Sequence, residues 1–131
     1  MTVWEELTLE QVAVMHVAAE EGELRHVIGE WDLLANRLPV GRGHQPSTLT
    51  YGDRLALVPR FADIVADVVE RGWIAVREPY YRDGWQCGDP MTPAALRALR
   101  DPQVWVLADA GPTRLIWLEA TDYWLDLSRR P

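Results

Sequence analysis

The stretch Phe61-Ala62-Asp63-Ile64-Val65-Ala66-Asp67-Val68-Val69-Glu70-Arg71-Gly72-Trp73-Ile74-Ala75-Val76-Arg77, with the segment that follows as far as Leu99, decides the fold. Phe61, Ile64, Val65 and Val68 recur at helical spacing, and the pattern stops at Gly72, the residue type favoured where a helix ends in the left-handed region. Trp73 to Arg77 then reads as a short strand, with Ile74 and Val76 directed inward and Trp73, Ala75 and Arg77 the other way. An aromatic loop runs from Pro79 to Pro90. Thr92-Pro93 opens a capped helix in which Leu96 and Leu99 share one face, Arg97 and Arg100 another, and which Asp101-Pro102 stops.

Upstream, Thr8 with Gln11 three residues on forms a capping box, and Leu9, Val12, Ala13, His16 and Val17 share one helical face that Gly22 ends. Leu24, Val27, Ile28, Trp31, Leu34, Ala35 and Leu38 mark a second amphipathic helix, closed by Pro39, with Gly29 weakening its middle. Residues 39–50 are rich in Gly, Pro and small polar residues and read as a loop, because no independent core lies before them. Thr50 and Asp53 cap a third helix, which Pro59 either kinks or restarts.

Downstream, Val104 to Leu107 and Thr113 to Leu118 read as strands joined by the turn Asp109-Ala110-Gly111-Pro112 into a hairpin. The tail Thr121 to Leu127 alternates, and both an edge strand and a short helix capped by Thr121 remain open. The sum is a single α+β domain over residues 1–131: a helical layer, a small antiparallel sheet and an extra C-terminal hairpin. Trp31, Phe61, Ile74, Val76 and Leu96 are the candidate core.

The order helix, helix, helix, strand, wing-like loop resembles the winged-helix superfamily over about residues 8–100. Ala66-Asp67-Val68-Val69-Glu70-Arg71-Gly72-Trp73-Ile74-Ala75-Val76 is similar to the end of that family's recognition helix and its first wing strand, and Met91-Thr92-Pro93-Ala94-Ala95-Leu96 to the helix that often follows the wing. The resemblance implies DNA binding, by a transcriptional regulator acting as a homodimer. Arg54, Arg60, Arg77 and Arg82 would be its cations. The residues argue the other way. A recognition helix offers cations and amides to phosphates and bases, whereas Asp63, Asp67 and Glu70 line the polar face of this one at helical spacing, with arginines only at its ends. Arg77 and Arg82 each adjoin an acid. That helix gives up the counterion-release term on which DNA affinity rests, and the acidic stripe reads most simply as a solvated face.

Composition narrows the function further. The chain carries a net charge of −7, and residues 1–38 set Glu5, Glu6, Glu10, Glu20, Glu21, Glu23, Glu30 and Asp32 against only Arg25 and Arg37. Such a layer repels nucleic acid and anionic lipid and attracts basic partners. All 13 basic residues are arginine. No apolar run reaches the roughly 20 residues of a membrane span, the N-terminus lacks the features of a signal peptide, and the single Cys87 has no internal disulfide partner, so a cytoplasmic location is expected.

No motif points to catalysis or to a cofactor. His16 with Glu20, and His26 with Glu30, repeat an i, i+4 spacing that would hold a metal if the two helices faced each other, but a hydrogen-bonded core His16 and an exposed His26 are the simpler reading. Cys87 has only His44 as a candidate base. Gly41-Arg42-Gly43 is too short for a phosphate-binding loop. The expectation is therefore a non-catalytic domain that binds another, basic protein, as an immunity or antitoxin-like protein does. Its contact residues would be Glu20, Glu21 and Glu23 at the acidic helix end and Tyr80, Tyr81, Arg82 and Trp85 in the aromatic loop, unless that loop folds back as a lid on the core.

Overall fold

The computed structural model describes residues 2–36, 47–78, 88–106 and 114–130. Helix α1 (Leu9–Ala19) begins where the capping box places it: Thr8 Oγ1 accepts from the Gln11 amide at 3.2 Å and Gln11 Oε1 accepts from the Thr8 amide at 2.9 Å. Its end departs from expectation. Glu21, not Gly22, takes the left-handed conformation (φ 54°), and the Glu21 and Gly22 amides bond back to the Ala18 and Val17 carbonyls at 3.1 and 2.8 Å. Gly22 is used for close approach instead, since a Cβ there would meet Val17 Cγ1 at 2.9 Å and the Val17 carbonyl oxygen at 3.2 Å. Glu21→Gly should relieve the left-handed strain and stabilise the fold by about 0.5–1 kcal/mol, read from the urea midpoint. An unchanged or lowered midpoint would show that Glu21 carries no such strain.

After a 3₁₀ turn (Leu24–His26), α2 (Val27–Ala35) packs on α1. Leu24, Val27 and Ile28 are buried as expected, but in the next turn Asp32, 6% exposed, faces inward, while Trp31 is only half-buried, edge-on to Phe61 at 5.7 Å and under the Arg60 guanidinium. The buried carboxylate is tolerated because Arg54 and Asn36 both reach it, at 3.3 and 2.8 Å.

Helix α3 (Tyr51–Glu70) starts at a second capping box, Thr50 with Asp53, and buries Val58, Phe61, Ala62, Val65, Ala66 and Val68. Pro59 neither ends nor restarts it. The ring sits exposed within a continuous helix, at the cost of the bond its missing amide would give the Leu55 carbonyl. Gly72 ends α3 as expected, with φ 77° and the Trp73 amide donating to the Val68 carbonyl at 3.3 Å.

Strand β1 (Ile74–Arg77) buries Ile74 and Val76. Helix α4 (Pro93–Ala98) lies against α3 from its Thr92 cap, with Leu96 buried. The expected C-terminal hairpin does not form. Val104 and Trp105 lie in a helical turn, α5 (Pro102–Trp105), because Asp101-Pro102 both stops α4 and starts a new helix: Asp101 Oδ1 accepts from the Gln103 amide at 2.9 Å and Pro102 takes the first helical position. Strand β2 (Trp117–Ala120) therefore pairs with β1, antiparallel, with Ile74 opposite Ala120 and Val76 opposite Leu118. The turn at 109–112 lies outside the described residues. Single bridges extend the sheet on both sides, Glu23 to Trp117 and Pro90 to Arg77.

The tail is a helix, α6 (Asp122–Ser128), capped by Thr121. Its Trp124 is 2% exposed and packs on Trp73 and Trp4, with ring centroids at 5.0 and 5.1 Å. Trp73, which precedes β1, is therefore buried as well, at 7% exposure, while Ala75 and Arg77 on the outer side of β1 are half-buried. The fold is α+β, a helical assembly around a small two-stranded antiparallel sheet. No described helix is long and apolar enough to cross a membrane.

Candidate functional site

The sequence concentrates carboxylates in its first third, and the fold decides which of them stay free. Glu20 and Glu21 lie exposed at the turn that ends α1. Glu23, expected beside them as a free contact residue, is half-buried. It bridges to Trp117 at the sheet edge and holds Arg25, whose Nε donates to Glu23 Oε2 at 3.0 Å. It is a structural carboxylate. Tyr80, Tyr81, Arg82 and Trp85 of the aromatic loop lie outside the described residues, as do Cys87 and His44.

The arginines that would serve DNA are otherwise occupied. Arg54 reaches Asp32 at 3.3 Å, Arg60 pairs with Glu10, and Arg77 donates to Glu119 at 2.8 Å and to the Gly88 carbonyl at 3.0 Å. Arg82 lies outside the described residues. The acidic stripe on α3 is not simply solvated. Arg97 of α4 spans Asp67 and Glu70, at 2.8 and 2.7 Å, and its hydrogen bond holds the Glu70 carboxyl below the usual carboxylate range. Only Asp63 of that stripe has no cation against it among the described residues. Glu78 is held low in the same way by the bidentate Arg114, at 2.8 and 3.1 Å.

In place of the i, i+4 spacings His16/Glu20 and His26/Glu30, the structure pairs His16 with Glu30 across two helices. His16 is half-exposed rather than core, and its Nδ1 lies 3.1 Å from Glu30 Oε1 on α2, with the ring tilted against Trp4 at 5.7 Å. The i, i+4 spacing pointed along each helix, whereas α1 packs on α2 and offers a nearer partner across the contact. His26 is exposed, near Glu23 at 3.9 Å. Among the described residues no group of three or more His, Cys, Asp or Glu is placed to hold a metal.

Two clefts flank this pair, and Glu20 and Glu30 border both. One, of about 340 Å³, has Val17 and Leu33 as apolar wall and Arg25, His26 and Arg54 at its edge. The other, of about 370 Å³, is lined by Trp4, His16, Ala19, Glu20 and Glu30. Leu33 is 48% exposed, so apolar surface adjoins the carboxylates. Sequence reading named Glu20 and Glu30 in the acidic layer but paired Glu30 with His26, and it missed Trp4. An N-terminal tryptophan and a carboxylate on the next helix do not say that α1 brings them together. This arrangement can attract, orient and partly desolvate a cation. Comparison with protein-family models, with curated proteins and with solved structures gives no match to this chain.

Proposed function

We propose that this chain is a non-catalytic protein-binding domain that covers a basic partner, as immunity and antitoxin-like proteins do. One observation carries the reading: the described cations are largely spent inside the fold while a set of carboxylates is left over. Arg25, Arg54, Arg60, Arg77, Arg97, Arg114 and Arg130 each hold a carboxylate, and Arg71, Arg100 and Arg129 are exposed but scattered, just past the ends of α3, α4 and α6. Glu6, Glu20, Glu21 and Asp63, by contrast, are exposed with no cation against them among the described residues, and two of these are adjacent at the end of α1. With a net charge of −7, the surface favours positive partners and disfavours phosphate backbones.

The test is covalent capture in the native host, with wild-type bait beside bait carrying Glu6→Arg, Glu20→Arg and Glu21→Arg. All three residues are exposed, so the fold should survive the reversal. The wild type should enrich one protein of high isoelectric point by tenfold or more, on the order of the rate advantage that steering gives, and the reversed bait should lose it. Equal capture of the same protein by both baits, or capture of an acidic one, contradicts the reading.

A further inference from the structure

We propose that the cleft between Trp4, His16, Ala19, Glu20 and Glu30 is a receptor for an arginine side chain of the protein partner. This rests on the protein-binding reading above and assigns it a recognition pocket.

The cleft, about 370 Å³, is open to solvent and carries two carboxylates on its lining. Glu20 enters from the end of α1 and Glu30 from the middle of α2, so two carboxylates on different elements border one space. Among the described residues the only other titratable side chain on the lining is His16, whose Nδ1 meets Glu30 Oε1 at 3.1 Å and fixes that carboxylate in place, and no described arginine borders the cleft. The arginines of the adjoining cleft are turned to other acids, Arg25 to Glu23 at 3.0 Å and Arg54 to Asp32 at 3.3 Å.

Trp4 supplies the second recognition element. Trp124 meets its ring nearly at right angles and His16 meets it tilted, which pins the indole while part of it still borders the cleft. A planar guanidinium can stack on an indole and donate in the same plane to a carboxylate, whereas an ammonium presents only a point charge. The adjoining apolar wall, Val17 with the 48% exposed Leu33, suits the aliphatic stem of an arginine or the residue next to it.

The probe is N-acetyl-arginine methylamide titrated into the ¹⁵N-labelled full chain, with the lysine and glutamate analogues as controls. Saturable shifts are expected at the Trp4 indole N–H and at the amides of His16, Ala19, Glu20 and Glu30. A ligand this small should dissociate at roughly millimolar concentration. Glu20→Gln and Glu30→Gln should each weaken the arginine probe by about three- to fivefold, as loss of one part-exposed ion pair does. Glu30→Asp should restore part of the loss if charge, and not only shape, is read. No saturable shift at these residues, or equal binding of the glutamate analogue, overturns the proposal. Equal binding of the lysine analogue overturns the assignment to arginine.

A parallel titration with an oligoarginine peptide separates this site from the broader reading. Salt-sensitive oligoarginine binding that Glu20→Gln and Glu30→Gln leave unchanged would sink the cleft and keep the acidic surface. Single-arginine binding in the cleft without oligoarginine binding would keep the cleft and sink the basic-partner reading.

Discussion

Trp124→Ala should cost about 3–5 kcal/mol and bring the domain close to unfolding, since domains of this size hold only about 5–15 kcal/mol in total. The side chain is 2% exposed and closes a three-ring cluster with Trp4 and Trp73. Truncation leaves a void that two rigid indoles, anchored on the 3₁₀ turn Val3–Glu6 and on the strand entry, cannot readily fill. Its neighbour Tyr123 is 59% exposed, so Tyr123→Ala is the matched control and should leave the midpoint nearly unchanged. Chemical denaturation of the two variants decides the matter. If Trp124→Ala unfolds at the same midpoint as Tyr123→Ala, α6 is a loosely attached tail and the sheet is not closed as described.

Arg54→Met should be the next most damaging change, at about 2–3 kcal/mol. It removes the guanidinium from the Asp32 carboxylate, whose side chain is only 8% exposed, and leaves Asn36 as its remaining donor among the described residues. It also releases the Ser47 hydroxyl, 3.4 Å from Arg54 Nη2, and so loosens the entry to α3. The cost comes from a carboxylate left buried without its countercharge, and Asp32→Asn should therefore rescue part of it. The double variant Asp32→Asn with Arg54→Met should be more stable than Arg54→Met alone. Strictly additive destabilisation would mean that the two side chains do not depend on one another.

These two sites mark what the sequence does and does not reveal. Local chemistry was legible. Thr8-x-x-Gln11, Thr50-x-x-Asp53, Thr92-Pro93 and Gly72 gave helix ends within a residue or two, because a cap is satisfied by neighbours in the chain. Strand β1 was legible because Ile74 and Val76 alternate beside a helix stop. Long-range pairing was not. Val104 and Trp105 look like strand residues, yet Asp101-Pro102 starts a helix there, and β2 finds its partner in β1, far back in the chain. Trp73 was placed on the side away from Ile74 and Val76, and nothing local announces that Thr121 will cap a helix that buries it there. The burial of Asp32 depends on Arg54 from another helix.

The candidate site divides along the same line. Glu20 and Glu21 were found by counting charge, which needs no fold. Glu23 looked equivalent, but its backbone happens to extend the sheet and its side chain holds Arg25. Trp4 was missed, and Glu30 was paired with the wrong histidine, because a cleft is made by two elements meeting, and neither residue belongs to a spacing pattern with Glu20. The arginines assigned to a DNA-binding alternative were named from exposure alone. Their carboxylate partners, Asp32, Glu10 and Glu119, lie elsewhere in the chain.

The measurement that bears most directly on the function is the association rate constant for the captured partner as a function of ionic strength, taken by stopped flow on wild type and on the Glu6→Arg, Glu20→Arg, Glu21→Arg variant. A partner drawn in by this acidic surface should bind wild type roughly tenfold or more faster at low salt. The two rates should converge as the Debye length falls from about 30 Å at 0.01 M towards 3 Å at 1 M. Rates that are equal for the two proteins and flat across that range would contradict recognition through the acidic surface.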